Sequence, residues 1–272
     1  MSKQDICDKG QMSWATAVKL VKRLTEQGIL HQAGTSYRPV EQRGKNSYIY
    51  ELTGTAPLAV GIDIEYQTTS MEITNLSGKI LYSSHYPTPE SPDPTELFNF
   101  IKIALKNFLA QAEYKPSNLV GIGIGIPGIS IPSWTKDPEN EQKDLGPALE
   151  DEFTVPVVIE NNVRAYAVYE KWDRNAFSLS NFIFISIRTG VGSGIFINDH
   201  LYSGNQGLAG ELGHFLVVDS GLACRCGNYG CLETVVNQNI LYEAYHEKVL
   251  HSPVRASSYE HSEVLSGLNN LF

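Results

Sequence analysis

Apolar residues recur at helical spacing over residues 1–30. Lys3 to Lys9 can form a short helix ended by Gly10. Ser13 fits an N-cap, and Ala17, Leu20, Val21, Leu24 and Ile29 follow at helical intervals until Gly28 supplies a stop. Two helices joined by a few residues, the second opening Ser-Trp-Ala-Thr, make a helix-turn-helix pattern. A polar stretch from His31 to Asn46 comes next, then an alternating strand from Ser47 to Leu52, as in a β-wing.

The pattern changes at Leu58. Leu58 to Ile64 reads as a strand, and Thr69 to Ile73 and Lys79 to Ser83 as a meander turning at Gly78. Phe98 to Ala112 is an amphipathic helix with Phe98, Ile101, Leu105, Phe108 and Leu109 on one face. Val120 to Ile126 is a strand, Pro132 to Asp144 a polar surface loop, and Val155 to Glu160 a strand leading into a helix from Val163 to Trp172. Phe182 to Ile187 is a strand feeding a Gly-rich loop, Thr189 to Gly194, with Ile195 to Ile197 beyond it. Strands alternating with helices imply an α/β domain.

Composition is that of an ordinary globular protein. The longest apolar run, Val120 to Ile131, is broken by Gly and Pro and reads as a buried strand and turn, so no membrane span is expected. The polar, charged start does not resemble a signal peptide, and a cytoplasmic location is expected. The net charge of −9 argues against general nucleic-acid binding. It is unevenly placed, however. Residues 1–55 carry eight Lys or Arg against five Asp or Glu, whereas residues 56–272 carry thirteen against twenty-five. A basic head on an acidic body suits a DNA-binding head on a domain that avoids DNA. In that reading Ser13, Trp14, Thr16 and Lys19 face bases, while Lys22, Arg23 and the wing residues Arg43 and Lys45 meet phosphates. A small helical cap with a solvated basic face is the alternative.

Three of the four cysteines lie within eight residues of one another, in the run His214-x9-Cys224-x-Cys226-x4-Cys231. Three thiolates and an imidazole make a closed tetrahedral set that suits Zn²⁺ and leaves no position for an activated water, so a structural ion is expected. Gly227 and Gly230 allow the tight turns that bring the cysteines together. Reduced core cysteines with an unrelated His are the alternative. Glu211 precedes His214 by three residues and Glu233 follows Cys231 by two, so an ion held by His214 would fix a loop bearing both carboxylates.

Gly210-Glu-Leu-Gly-His214 and Cys224-Arg-Cys-Gly-Asn-Tyr-Gly-Cys-Leu-Glu233 resemble the zinc and sugar signature of the ROK (repressor, open reading frame, kinase) family. Gly121 to Gly128, Ile159-Glu-Asn-Asn162 and Thr189 to Gly194 match further blocks, and the head resembles the winged helix of the family's repressors, such as those for xylose and N-acetylglucosamine. The resemblance implies an α/β, actin-like, two-lobed sugar-kinase fold over 56–272, with a winged helix-turn-helix head at 1–55. It implies sugar contacts by Gly128, Asn161, Asn162, Glu211, His214 and Glu233, with His214 doubling as a zinc ligand.

Three departures shape the expectation. Asn162 stands where the family's kinases carry their catalytic Asp, and an amide cannot take a proton from a sugar hydroxyl. Asp63-Ile-Glu-Tyr-Gln-Thr68 lacks the glycines of the kinase phosphate turn. The chain also looks short at both ends, lacking the first helix of the winged helix and the end of the second lobe. The expectation is a sugar-responsive regulator, a repressor in the first instance, rather than an enzyme. Its partners are operator DNA and a small sugar effector, it acts as a homodimer or dimer of dimers, and its cofactor is structural zinc without ATP. The alternatives are an ATP-dependent, glucokinase-like sugar kinase and a truncated remnant without function.

Overall fold

The computed structural model describes residues 1–35, 47–54, 57–128, 134–135, 144–172, 176, 178–205 and 207–248. Arg43 and Lys45, most of the expected 132–144 loop and the tail beyond Lys248 lie outside the described residues. The chain divides into two compact units. One comprises Met1–Ile124 and Pro132–Ile159, the other Gly125–Ile131 and Glu160–Phe272.

The first unit opens with α1 (Lys3–Lys9) and α2 (Trp14–Glu26), each started by a serine whose hydroxyl accepts a backbone N–H of the first turn. Gly28, at φ +71°, ends α2 as expected. Ala17 and Val21 are the buried residues of α2, and Leu20 is exposed. Strands β1 (Leu30–Thr35) and β2 (Tyr48–Leu52) pair antiparallel. His31 to Thr35, read from sequence as part of a polar connection, is therefore strand: cross-strand pairing satisfies its backbone where side-chain alternation gave no signal. The boundary expected after residue 55 follows β2 and falls inside this first unit.

A five-stranded sheet follows in the order β5-β4-β3-β6-β7, where β3 is Leu58–Ile64, β4 Thr68–Asn75, β5 Ile80–Pro87, β6 Leu119–Ile126 and β7 Val157–Asn161. Strands β3, β4 and β5 form the expected meander, longer than the sequence suggested. Gly78 turns it at φ +80°, with the buried Asn75 carboxamide oxygen accepting the N–H groups of Ser77 and Lys79. Helix α3 (Pro94–Gln111) starts at a capping box between Asp93 and Glu96 with proline in its first turn. It buries Leu97, Ile101, Ala104, Leu105, Phe108 and Leu109. Leu97 rather than Phe98 belongs to that face. Burying each such Leu, Ile or Phe contributes roughly 1.5–3 kcal/mol relative to exposure.

Helix α4 (Leu145–Phe153) is not apparent from sequence. Its buried face is only Leu145, Leu149 and Phe153, too few positions to establish a period. It packs on α3, and its Glu152 receives both Lys102 and Lys106. The expectation of a surface loop from Pro132 to Asp144 needs correction at its described positions: Trp134, Thr135 and Asp144 are buried. Trp134 meets the Tyr66 ring edge-on at 5.7 Å. Tyr66 lies in the β3–β4 turn, which the Glu65 N–H closes on the Thr68 carbonyl at 3.0 Å. An aromatic side chain and a closed hairpin thus occupy the stretch that lacks the phosphate-turn glycines.

In the second unit, α5 (Asn162–Trp172) packs on the antiparallel hairpin of β8 (Phe182–Ile187) and β9 (Val191–Ile197), with β10 (His200–Leu201) beyond β9. The expected Gly-rich loop is mostly strand. Val191 to Gly194 pair with β8, leaving only Arg188 to Gly190 as the turn. Its glycines serve packing: a Cβ on Gly192 would lie 2.8 Å from Val163 Cγ2, and one on Gly194 would collide with the Ala167 methyl. Phe182 and Phe196 stack across the hairpin at 4.7 Å. Helix α6 (Gln238–Lys248) begins where the Gln238 N–H meets the Arg188 carbonyl. Among the described residues, no helix is long and apolar enough to cross a membrane.

Candidate metal and ligand site

The cysteines sit on a tight knuckle of the second unit. The Gly227 N–H returns to the Cys224 carbonyl at 3.0 Å and the Cys224 N–H to the Asn228 carbonyl at 2.8 Å. Gly227 and Gly230 adopt φ +90° and +74°, conformations an L side chain rarely takes. An isolated bridge between Leu216 and Cys231 brings Cys231 beside the segment that carries His214.

One ligand atom from each of His214, Cys224, Cys226 and Cys231 falls within 4.8 Å of the others. His214 Nδ1 is 3.5 Å from Cys224 Sγ, and Cys226 Sγ is 3.6 Å from Cys231 Sγ. A tetrahedron with metal–sulfur bonds of about 2.3 Å and a metal–nitrogen bond of about 2.05 Å has edges of about 3.6–3.8 Å. The His214–Cys224 and Cys226–Cys231 separations match those edges, and the whole set lies within 4.8 Å, so the four side chains could hold an ion. Burial pushes the Cys224 thiol well above its ordinary range, so an ion entering here displaces protons.

The carboxylates flank this cluster. Glu233 Oε1 lies 2.9 Å from Cys224 Sγ and 3.7 Å from His214 Nδ1. Glu211 Oε2 lies 3.7 Å from His214 Nε2. Burial raises the Glu211 carboxyl above its ordinary value, while the nearby charges of His214 and Arg164 pull it back. A Cβ on Gly128 would press on both Glu211 Oε1 and Asn161 Nδ2. An acceptor and a donor, the pair a sugar hydroxyl can satisfy at once, thus pack against the bare Gly128 backbone. Gly128, Asn161, Glu211, His214 and Glu233 thus form one connected neighbourhood within the second unit. Asn162, the first residue of α5, is half-buried, and its Oδ1 accepts the Val163 N–H at 2.8 Å.

Ser13, Trp14, Thr16, Lys19, Lys22 and Arg23 are all exposed on α2. Ser13 and Thr16 hydroxyls bond each other at 2.8 Å as part of the helix cap, and Lys22 pairs with Glu26 at 3.7 Å. Sequence reasoning missed Arg164, whose side chain is buried between Glu160 and Gly207. Its one advance signal was a charged residue one helical turn after Asn161.

The chain is thus an α/β protein with a His/Cys3 cluster beside two carboxylates and an asparagine. A family model described as the ROK family matches residues 59–268, and the chain belongs to that family. The xylose repressor of Bacillus spizizenii is 28% identical over 275 residues, covering 100% of this chain and 69% of that protein. The DNA-binding transcriptional dual regulator NagC of Escherichia coli (strain K12) is 27% identical over 263 residues, covering 92% of this chain and 64% of that protein. A solved ROK family transcriptional regulator, a homolog of the E. coli MLC protein, superposes with a TM-score of 0.68 at 22% identity, over 96% of this chain and 67% of that one. A ROK family glucokinase from Streptomyces griseus, in complex with glucose and AMPPNP, gives 0.55 at 26% identity, over 71% and 62%.

Proposed function

We propose that this chain is a sugar-responsive transcriptional regulator, in the first instance a repressor. Residues 1–55 act as its winged helix-turn-helix head and residues 56–272 as its sugar-sensing ROK domain. The observation that carries the reading is the sharing of His214, with Nδ1 against Cys224 and Nε2 towards Glu211. A structural Zn²⁺ on His214, Cys224, Cys226 and Cys231 would set the imidazole. The imidazole, Glu211, Glu233, Asn161 and Asn162 would then read sugar hydroxyls around Gly128. The repressor names of the curated relatives favour an effector site over a catalytic one. Asn162 points the same way, because its amide is no base.

In this reading Ser13, Trp14, Thr16 and Lys19 on α2 face base edges, with Lys22, Arg23, Arg43 and Lys45 on phosphates. Sugar changes operator affinity because it binds two states of a homodimer, or dimer of dimers, unequally. A gel-shift assay with the DNA upstream of the protein's own operon, with and without sugars, tests it. The expected result is a shifted band whose affinity changes with one sugar class. No shift under any condition overturns the regulator reading.

Likeness to the S. griseus glucokinase supports one other reading, an ATP-dependent sugar kinase. ADP release with hexoses, pentoses or N-acetylated sugars, abolished by Glu233→Ala, would favour it over the regulator.

A further inference from the structure

Arg164, on the first turn of α5, is 7% exposed and reaches two separate parts of the second unit. Its Nε donates to Glu160 Oε1 at 2.8 Å, and Nη2 donates to the same oxygen. Its Nη1 donates to the Gly207 carbonyl at 2.6 Å. Its backbone N–H donates to Asn161 Oδ1 at 2.9 Å. Gly207 belongs to a turn closed by the Ala209 N–H on the Ser203 carbonyl at 3.1 Å. The turn runs directly into Gly210, whose carbonyl accepts both the N–H and the hydroxyl of Ser193 on β9. Glu211 is the next residue.

One side chain thus ties the approach to Glu211 to the residues that open α5. The backbone N–H at that position, independent of the side chain it carries, orients Asn161. Because Asn161 Oδ1 accepts a backbone N–H, the amide cannot be flipped, and Nδ2 is the end left facing Gly128 beside Glu211 Oε1. The planar, five-donor guanidinium suits this position, since it serves Glu160 and Gly207 at once, whereas an ammonium is a point charge that would favour one.

We propose that Arg164 is the positioning residue of the ligand site: its side chain holds the segment that leads to Glu211 at a set distance from the start of α5, so that a single hydroxyl of a bound sugar accepts from Asn161 Nδ2 and donates to Glu211 Oε1. This rests on the sugar-binding reading above. Arg164 itself touches no ligand.

The test is a double-mutant cycle on the full, zinc-loaded chain, with D-xylose and N-acetyl-D-glucosamine as calorimetric probes. Zinc content and melting temperature are measured alongside. Arg164→Lys keeps the charge opposite Glu160 and loosens the spacing, with an expected loss of affinity on the order of tenfold and zinc content unchanged. Glu211→Gln weakens wild-type binding, and the same change costs much less in the Arg164→Lys background, because the geometry it spoils is already lost. A general loss of stability would not produce that coupling. Should Arg164→Lys fail to fold, Arg164→Gln with Glu160→Gln removes both partners of the ion pair together and carries the same cycle. Losses that multiply independently, or wild-type affinity in Arg164→Lys, overturn the positioning role and leave the sugar reading standing. A wild-type chain that binds neither probe overturns the sugar reading and this inference with it.

Discussion

His214 Nε2 lies 3.7 Å from Glu211 Oε2, while the other ring nitrogen faces the cysteines. The imidazole therefore joins the candidate ligand carboxylate to the candidate metal cluster. In a zinc-loaded chain, removing the ion with a strong chelator is expected to lower the melting temperature and also to weaken sugar binding, on the order of tenfold or more when a supporting partner is lost. Calorimetry before and after chelation measures both. Unchanged sugar affinity in the stripped protein would reduce the ion to a staple for the knuckle.

Gly128 offers a sharper probe of the ligand site. A Cβ there would collide with Asn161 Nδ2 and Glu211 Oε1 and push both side chains out of place. Gly128→Ala is expected to abolish sugar binding with zinc content intact, read by a thermal-shift sugar panel and a zinc assay. A variant that still gains stability from the same sugar as the wild type would take Asn161 and Glu211 out of the sugar contact.

Gly194 separates packing from phosphate chemistry. Its missing side chain lets α5 approach β9 at Ala167. Gly194→Ala is expected to destabilise the chain by roughly 1–3 kcal/mol, as overpacking does, visible as a lower denaturant midpoint. A variant as stable as the wild type would remove the packing account of these glycines.

The α3–α4 contact carries a pH signature. Hydrogen bonds from Lys102, and then Lys106, hold the Glu152 carboxyl below its usual value. A carboxylate whose folded pKa is depressed contributes stability that is complete above its unfolded pKa and is lost as pH falls through the folded one. Glu152→Gln is therefore expected to flatten the acid limb of the stability profile and to leave its alkaline side unchanged. Denaturation midpoints between pH 3 and 7 (roughly the carboxylate range) check this. An acid limb as steep as that of the wild type would place the titration elsewhere.

On the head, replacing Lys22 or Arg23 by Ala is expected to weaken operator binding about equally for all DNA sequences and to reduce the salt slope by about one. Gel shifts across a salt series measure it. A change confined to one base position would make these residues readers of sequence.

What the sequence determined alone was local chemistry and strong periods. His214, Cys224, Cys226 and Cys231 have a spacing that few other arrangements share. Leu58 to Ile64, with its meander and the long helix after it, declares itself through alternation and repeat. Short-range signals suffice there because each element's partner lies nearby in the chain. Tertiary structure decided the rest. Helix α4 has three buried positions and no readable period, so only its packing on α3 defines it. The Thr189 to Gly194 run looked like a loop because glycine says where a side chain is absent but not what comes close; Val163 and Ala167 supplied that answer. Arg164 was silent for the same reason. A guanidinium reveals its role only when Gly207, forty-three positions away, folds back to meet it.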